Sequence, residues 1–440
     1  MRFHEREDRS GLGVTADNPR VGQRVILINR YFYPDRSATS QMLSDLAFCL
    51  ADKGYDVHVI AGAGAYDDPA LVFPPREETA GVKIRRIAVG RARPRSLAAR
   101  AGLYLSLYRA FALEAFRLGR PSDILVVKTD PPLLSCALWP VAKLKKLKQV
   151  NWLQDLYPEV AVALGVSGLR GPIGWALARL RDASLRGAAL NVAIGDSMRA
   201  RLEALNVPRE KTCVIANWCD DRAIVPQRGA SNPLREAWGL ADKFVVGYSG
   251  NLGRAHEYRT LLGAAATLRD QRDIVFLFIG GGRQIELLRG EAAALGLAAQ
   301  FQFRPYQDAA LLPQSLCAPD IHWLSLLPEL EGLIVPSKFY GIAAAARPMI
   351  AVMHAEGEIA RLVRRFDCGA VIAPGDSEGF ARTILAWRGN RDRLAKMGQN
   401  ARDLLNRDFR RRQSFEKWDR ALTAVARNAP AGAGAEKINV

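Results

Sequence analysis

Two glycine-rich turns in the second half of the chain are the residues best suited to chemistry. GYSGNLGR at 247–254 follows one apolar run, and GGGR at 280–283 follows the next. Glycine lets the backbone approach a ligand closely, N–H groups at a helix start attract anions, and a guanidinium pairs with phosphate. With a helix expected to open directly after the first turn, Gly250, Asn251, Gly253, Arg254, Gly281 and Gly282 frame a candidate diphosphate site. One such turn alone reads equally as a plain βα connection with a surface arginine. Two in neighbouring βα units point to a single nucleotide site.

Further on, PELEGLIVPSK at 328–338 leads from an apolar run into a helical pattern. Its carboxylates suit hydrogen bonds from sugar hydroxyls. Glu331, beside Gly332, fits that role, whereas Glu329 reads as a solvated loop residue. Lys338, in the first turn of a helix, is positioned to meet a phosphate. In the first half, NWLQDLYPE at 151–159 sets Gln154 and Asp155 where a buried strand emerges. Trp152 and Tyr157 beside them offer aromatic faces for a sugar ring. Capping of the next segment is the alternative role for Asp155. The histidines lack metal-ligand spacing, and no serine nucleophile elbow occurs. His256 reads as an exposed histidine at a helix start.

The elements that must position these residues alternate. Apolar, β-rich runs fall at 25–32, 56–61, 83–89, 124–128, 150–153 and 190–194, then at 244–248, 274–279, 300–303, 321–324, 349–352 and 370–372. Helical patterns separate most of them, among them 257–268 and 284–294. Such alternation predicts α/β architecture, a parallel sheet with helices on both faces, occurring twice. The expected organisation is a disordered leader at 1–23, a Rossmann-like domain at 24–230 and a second at 240–410. A helix at 411–427 returns to the first domain, and a disordered tail follows at 428–440. A linker is expected at 220–243, where Pro, Gly, Ser and charge gather. In paired doubly wound domains, ligands lie in the cleft facing the carboxyl ends of the strands.

Composition bounds the function. With 49% hydrophobic and 24% charged residues, the 440-residue chain has an ordinary globular balance. No run of eighteen apolar residues is present, so no transmembrane helix is expected. Six cysteines without CxxC spacing fit a reducing cytosol better than a disulfide framework or zinc site. A net charge of +17 calls for an anionic partner. Nucleic acid is not expected, because aromatic-interleaved basic motifs and zinc knuckles are missing. Between Gly81 and Arg120 stand ten Lys or Arg against Glu114 alone, and Lys143, Lys145, Lys146 and Lys148 form a second basic cluster. An anionic membrane surface is the expected partner.

YFYP at 31–34, QDLYPE at 154–159, SGNLGRAHEY at 249–258, EGLIVPSKFYGI at 331–342, EGEIA at 356–360 and PGD at 374–376 together resemble glycosyltransferase family 4, in particular its O-antigen, capsule and colanic-acid-type members. The resemblance spans roughly residues 24–426. It implies the GT-B fold, two Rossmann-like doubly wound domains facing each other across a cleft. It also implies transfer with retention from a nucleotide-sugar co-substrate, here a UDP-sugar, with no metal or other cofactor. The implied acceptor is a lipid-linked saccharide at the inner face of the cytoplasmic membrane. By position, Arg254 resembles the diphosphate-binding arginine and Glu331 the first glutamate of the Glu-x7-Glu motif, which engages the donor sugar. Phe339 stands where the second glutamate belongs, so holding the ribose passes to Glu358. The lysine expected soon after the arginine is missing, and Lys338 takes its place. Gln154 stands where the acceptor loop often carries histidine. Glu331, Asp155, Arg254 and Lys338 are thus the expected catalytic group, with Gln154, Asp155 and Tyr157 on the acceptor side. The alternatives are a nucleotide-sugar 2-epimerase of the same fold, which would want more acid–base groups than this chain offers, and an inactive membrane-associated scaffold.

Overall fold

The computed structural model describes residues 22–428, apart from 36, 67, 69, 89–96, 167 and 228–231 and the side chains of 97, 98 and 100. Residues 1–21 of the expected leader, 429–440 of the expected tail, and Arg91, Arg93 and Arg95 of the basic segment lie outside the described residues. The described chain forms two compact units, one ending at Ala216 and resuming at Ser414, the other running from Asn217 to Gln413.

The first unit is built on an eight-stranded sheet of β1 (Arg24–Ile28), β2 (Asp56–Gly62), β3 (Arg76–Thr79), β4 (Val82–Ile87), β5 (Ile124–Lys128), β6 (Lys148–Trp152), β7 (Leu190–Ala193) and β8 (Thr212–Val214). The strand order is β3-β4-β2-β1-β5-β6-β7-β8, and only the β3–β4 pair is antiparallel. The central strands read RVILI and ILVVK because both faces are covered by helices. On one face, Ile26, Ile28, Leu125 and Val127 pack under Leu107 and Phe111 of the helix Leu97–Leu118 and Leu138 of the helix Leu134–Leu144. The helix Pro172–Gly187 belongs to the same layer. Gln149 of β6, in register with Leu125, donates to the Ser135 carbonyl (3.1 Å) and the Ser184 hydroxyl (3.3 Å).

The helix Arg411–Ala426 completes this unit. Trp418 packs edge-on against Trp152 at 4.8 Å, and Asp419 accepts from Lys53 (2.9 Å) and Tyr55 (2.8 Å). Lys148 of β6 caps the helix, its ammonium donating to the carbonyls of Val425 (3.1 Å) and Ala426 (2.6 Å). A cation there meets both unsatisfied carbonyls and the negative end of the dipole.

The second unit carries six parallel strands, β9 (Phe244–Asn251), β10 (Ile274–Gly281), β11 (Phe301–Arg304), β12 (Ile321–Ser325), β13 (Met349–Val352) and β14 (Gly369–Ile372), ordered β11-β10-β9-β12-β13-β14. Tyr248, Phe276, Phe278 and Trp323 form its aromatic core. Both sheets are the expected Rossmann-like parallel arrangement. In each the strand order reverses once, between β1 and β5 and between β9 and β12. Ligands of doubly wound folds sit beyond the strand carboxyl ends at such reversals.

Two readings change. β3 and β8 were not expected, because REET and TCV are short and carry no apolar run. The stretch read as a linker packs on the second unit instead. Asn232 donates to the Gln314 carbonyl (2.7 Å), Arg235 to that of Ala318 (2.9 Å), and Arg402 to that of Asp221 (3.1 Å). Among the described residues no helix is long and apolar enough to cross a membrane.

Candidate active site

In the second unit the two glycine turns lie side by side. Parallel pairing sets Gly250 opposite Gly280 and Asn251 opposite Gly281 at the carboxyl ends of β9 and β10. The backbone there excludes side chains. Gly280 has φ +131°, and a Cβ on it would lie 2.3 Å from the Gly250 carbonyl oxygen. Gly280→Ala is therefore expected to cost the unit roughly 1–3 kcal/mol or more, read as a lowered melting temperature, and to spoil nucleoside diphosphate binding.

The helix start moves from the first turn to the second. Glu257 accepts the N–H groups of Arg259 (2.7 Å) and Thr260 (3.2 Å), so the first helix begins only at Arg259. Arg254 lies in an exposed turn before it. Directly after β10, by contrast, Gly282 precedes the helix Arg283–Ala294. The N–H groups of a helix start thus belong to the GGGR turn. Thr260, near the position of the missing lysine, accepts from the Gly375 N–H at 2.7 Å.

Lys338 begins the helix Lys338–Ala344 and reaches back to the first turn. Its Cε lies 3.0 Å from where a Gly250 Cβ would stand, and its ammonium rests 5.1 Å from the Tyr248 ring centroid. His256, expected to be exposed, is buried and holds this lysine. Its Nδ1 is 2.8 Å from the Ser325 carbonyl, which only accepts, so Nδ1 carries the proton. Nε2 is then free to accept from Lys338 Nζ at 3.2 Å. Burial, and then the Lys338 charge, push His256 down to about 3, so it stays neutral. Burial pushes Lys338 down to about 8.

Glu331 and Glu358 also meet. Glu331 Oε1 accepts the Glu358 N–H at 2.8 Å, capping the helix Glu358–Arg365. The Glu358 side chain is 3.6 Å from Arg361. Glu329 is exposed. Phe339 is buried against Tyr340 and Phe409, so that position offers no polar group. Tyr306, missed in the sequence, stands just beyond β11, 57% exposed, with its Cε2 3.2 Å from where a Gly281 Cβ would stand. Its only sequence signal was an aromatic residue just past a strand.

In the first unit, Gln154, Asp155 and Tyr157 follow β6. The Gln154 N–H donates to the Thr129 hydroxyl (3.2 Å), and the Tyr157 carbonyl accepts from Arg181 (2.8 Å), which also pairs with Glu159 (2.6 Å). No side chain caps the helix Glu159–Ala163 at Pro158. Trp152 is a correction. It is fully buried between Trp418 and Lys128 and presents no face to a sugar.

Sequence reasoning missed Lys128 and Asp130 altogether. Lys128 ends β5, only 1% exposed, donating to the Thr39 carbonyl at 2.8 Å with its ammonium 4.3 Å from the Trp152 ring centroid. It pairs in register with Trp152, so Asp130 and Asp155 follow on adjacent strands. Burial is the largest cause for all three; after it the Asp130 charge acts on Lys128 and Asp155, while the Arg30 and Lys128 charges act on Asp130. Lys128 falls to about 7, while Asp130 and Asp155 rise to about 6. A buried ammonium below two half-buried carboxylates suits proton exchange and hydroxyl binding near neutral pH.

Comparison with known proteins agrees with this arrangement. Residues 38–218 match the family model described as "Glycosyl transferase 4-like domain", and residues 231–404 match "Glycosyl transferases group 1". The chain is 25% identical over 403 residues to "Probable glycosyltransferase WbjE" of Pseudomonas aeruginosa, covering 90% of this chain and 96% of that protein. It is 26% identical over 371 residues to "Putative colanic acid biosynthesis glycosyl transferase WcaI" of Escherichia coli, covering 80% and 89%. Among solved structures, Anabaena Alr3699/HepE in complex with UDP-glucose superposes with a TM-score of 0.69 at 17% identity, covering 91% of this chain and 99% of that one.

Proposed function

Because the chain belongs to the glycosyltransferases that join a glycosyl transferase 4-like domain to a group 1 domain, we propose that it transfers a sugar from a UDP-sugar to a lipid-linked saccharide in bacterial surface-polysaccharide synthesis. Transfer proceeds with retention, without a metal ion, at the cytoplasmic face of the membrane. The observation that carries this reading is the half-buried Lys338 ammonium, held by His256 against the paired glycine turns. The relatives' descriptions support the pathway class, and the UDP-glucose complex of the Anabaena protein supports the base.

In this reading the diphosphate lies on Gly250, Asn251, Gly253, Gly281 and Gly282, with Arg254 and Lys338 on its oxygens and Tyr306 against the base. As the bond from the anomeric carbon to the β-phosphate oxygen breaks, negative charge grows on that oxygen, where the two cations stabilise it most. The acceptor hydroxyl attacks from the same face. Its oxygen bonds to the anomeric carbon, and its proton passes to the departing phosphate oxygen. Glu331 accepts from the donor sugar's hydroxyls with the oxygen that does not cap the Glu358 helix, and Glu358 holds the ribose.

Melting-temperature shifts with a panel of nucleoside diphosphates test the donor assignment, UDP giving the largest rise. Glu331→Gln should slow transfer far more than it weakens UDP binding, because UDP lacks the sugar and glutamine still accepts the Glu358 N–H. Glu331→Ala should in addition lose about 0.5–2 kcal/mol of stability with the cap. Glu358→Ala should chiefly weaken UDP. Interchange of the Gln and Glu358 effects in calorimetry and kinetics would reverse the two assignments.

A further inference from the structure

Three neighbouring helices of the first unit carry large apolar side chains on their outer faces. The helix Leu97–Leu118 packs on the helix Leu134–Leu144, which packs on the helix Pro172–Gly187. Outward from this layer stand Leu144 (74% exposed), Trp175 (68%), Ile173 (66%) and Leu105 (60%), with Phe116 beside Lys145. A single exposed leucine needs no account, but tryptophan, isoleucine, phenylalanine and leucines on one helical layer of a charged protein do.

The charge around them has one sign. Arg109, Arg117, Lys143, Lys146 and Arg179 are exposed on the same helices or just past their ends. The nearby acids turn inward: Glu114 pairs with Arg85 (2.7 Å), Asp182 with buried Arg181 (2.7 Å), and Asp123 with Arg24 (3.7 Å). Lys143 and Arg179 lie over the rings of Trp139 and Trp175. Apolar tips among cations that hold their stems along aromatic rings match the boundary between acyl chains and anionic headgroups. Charge of one sign over so wide a face opposes its pairing with a second copy.

We infer that this three-helix face docks the protein on an anionic lipid surface, with Trp175, Ile173 and Leu144 entering the headgroup boundary. The inference rests on the proposed membrane-borne acceptor and names the surface that meets the bilayer. The helix Pro172–Gly187 starts on the carboxyl side of the sheet, the side where Asp130 and Asp155 lie. Docking there brings a lipid-linked saccharide toward those carboxylates.

Co-sedimentation of the full chain with phosphatidylglycerol-containing and pure phosphatidylcholine vesicles tests it. Wild type should bind the anionic vesicles alone, less as salt rises. Leu144→Ser/Ile173→Ser/Trp175→Ser and Arg109→Glu/Lys143→Glu/Arg179→Glu should each lower the bound fraction about ten-fold or more. The circular dichroism spectrum and melting temperature of the same variants report folding and should match wild type. Equal binding to neutral vesicles, unchanged binding by both variants, or self-association through this face without lipid binding would overturn the inference. Lost UDP binding by wild type would instead sink the donor reading and leave the vesicle result standing.

Discussion

Lys338→Ala is expected to weaken UDP binding roughly ten- to a hundred-fold, the largest single effect on the donor side. The substitution removes a charge-assisted hydrogen bond to phosphate, worth about 1.5–3 kcal/mol. Arg254→Ala should weaken UDP less, because its guanidinium stands in an exposed turn where water screens it. The lysine also brings a pH signature. Burial holds it at about 8, and only its ammonium form attracts a diphosphate. UDP affinity should therefore be full below about pH 8 and fall as pH rises through that value, by up to about ten-fold per unit. Lys338→Ala should flatten this limb, and so should Lys338→Met. His256 contributes no titration of its own above pH 5, being held near 3. Calorimetry across pH decides. Unchanged affinity in Lys338→Ala, or a limb that survives it, would remove the lysine from the phosphate site.

A second large effect is expected in the first unit. Burial raises both Asp130 and Asp155 to about 6; the Asp130 charge adds to the rise at Asp155, whereas Arg30 and Lys128 oppose it at Asp130. Their ionised forms accept hydroxyl protons in hydrogen bonds, so kcat/KM for the acceptor should rise with pH through about 6. Asp130→Asn removes a negative neighbour from Asp155, and that limb should move to lower pH. Lys128→Met removes the positive one, and the limb should move up. The fold should respond with its own sign. Lys128, lowered to about 7 in the folded protein, binds its proton more readily unfolded, so its share of stability grows as pH rises from 7 toward 10. Lys128→Met, close in volume, relieves a buried charge and should not destabilise below pH 7. Asp155→Ala should reduce acceptor turnover about a hundred-fold or more while leaving UDP affinity intact. Parallel shifts of the two pH limbs in one direction would break the proposed coupling.

The strands Ile124–Lys128 and Met349–Val352 were legible to the residue, because a strand buried on both faces must be an unbroken apolar run. The two glycine turns were legible as turns, since a positive φ and a close backbone leave glycine as the one tolerable residue. What escaped depends on partners distant in sequence. His256 follows a glycine turn and looks like a surface residue, yet the carbonyl that fixes its tautomer belongs to Ser325. Lys128 looks like a solvated strand end, and only Trp152 and the Thr39 carbonyl make it a buried cation. Trp152 looked like a sugar platform until Trp418, far along the chain, covered it. The helix start at Arg259 was placed too early because a Glu257 cap cannot be told from a first-turn glutamate by composition.

The covering of Trp152 also bears on how the protein is made. The first unit contains residues from before and after the second in sequence, with Lys53, Tyr55 and Lys148 bonded to the helix Arg411–Ala426. During synthesis the ribosome delivers all eight strands of that sheet long before it delivers Trp418. The nascent unit must wait, its indole bare and Lys148 without its two carbonyls, while the whole second unit emerges and folds. Its closing step comes only once the helix Arg411–Ala426 has left the exit tunnel. A chaperone that shields hydrophobic surface therefore has a defined interval in which to act, opening when β6 leaves the tunnel and closing when the final helix docks.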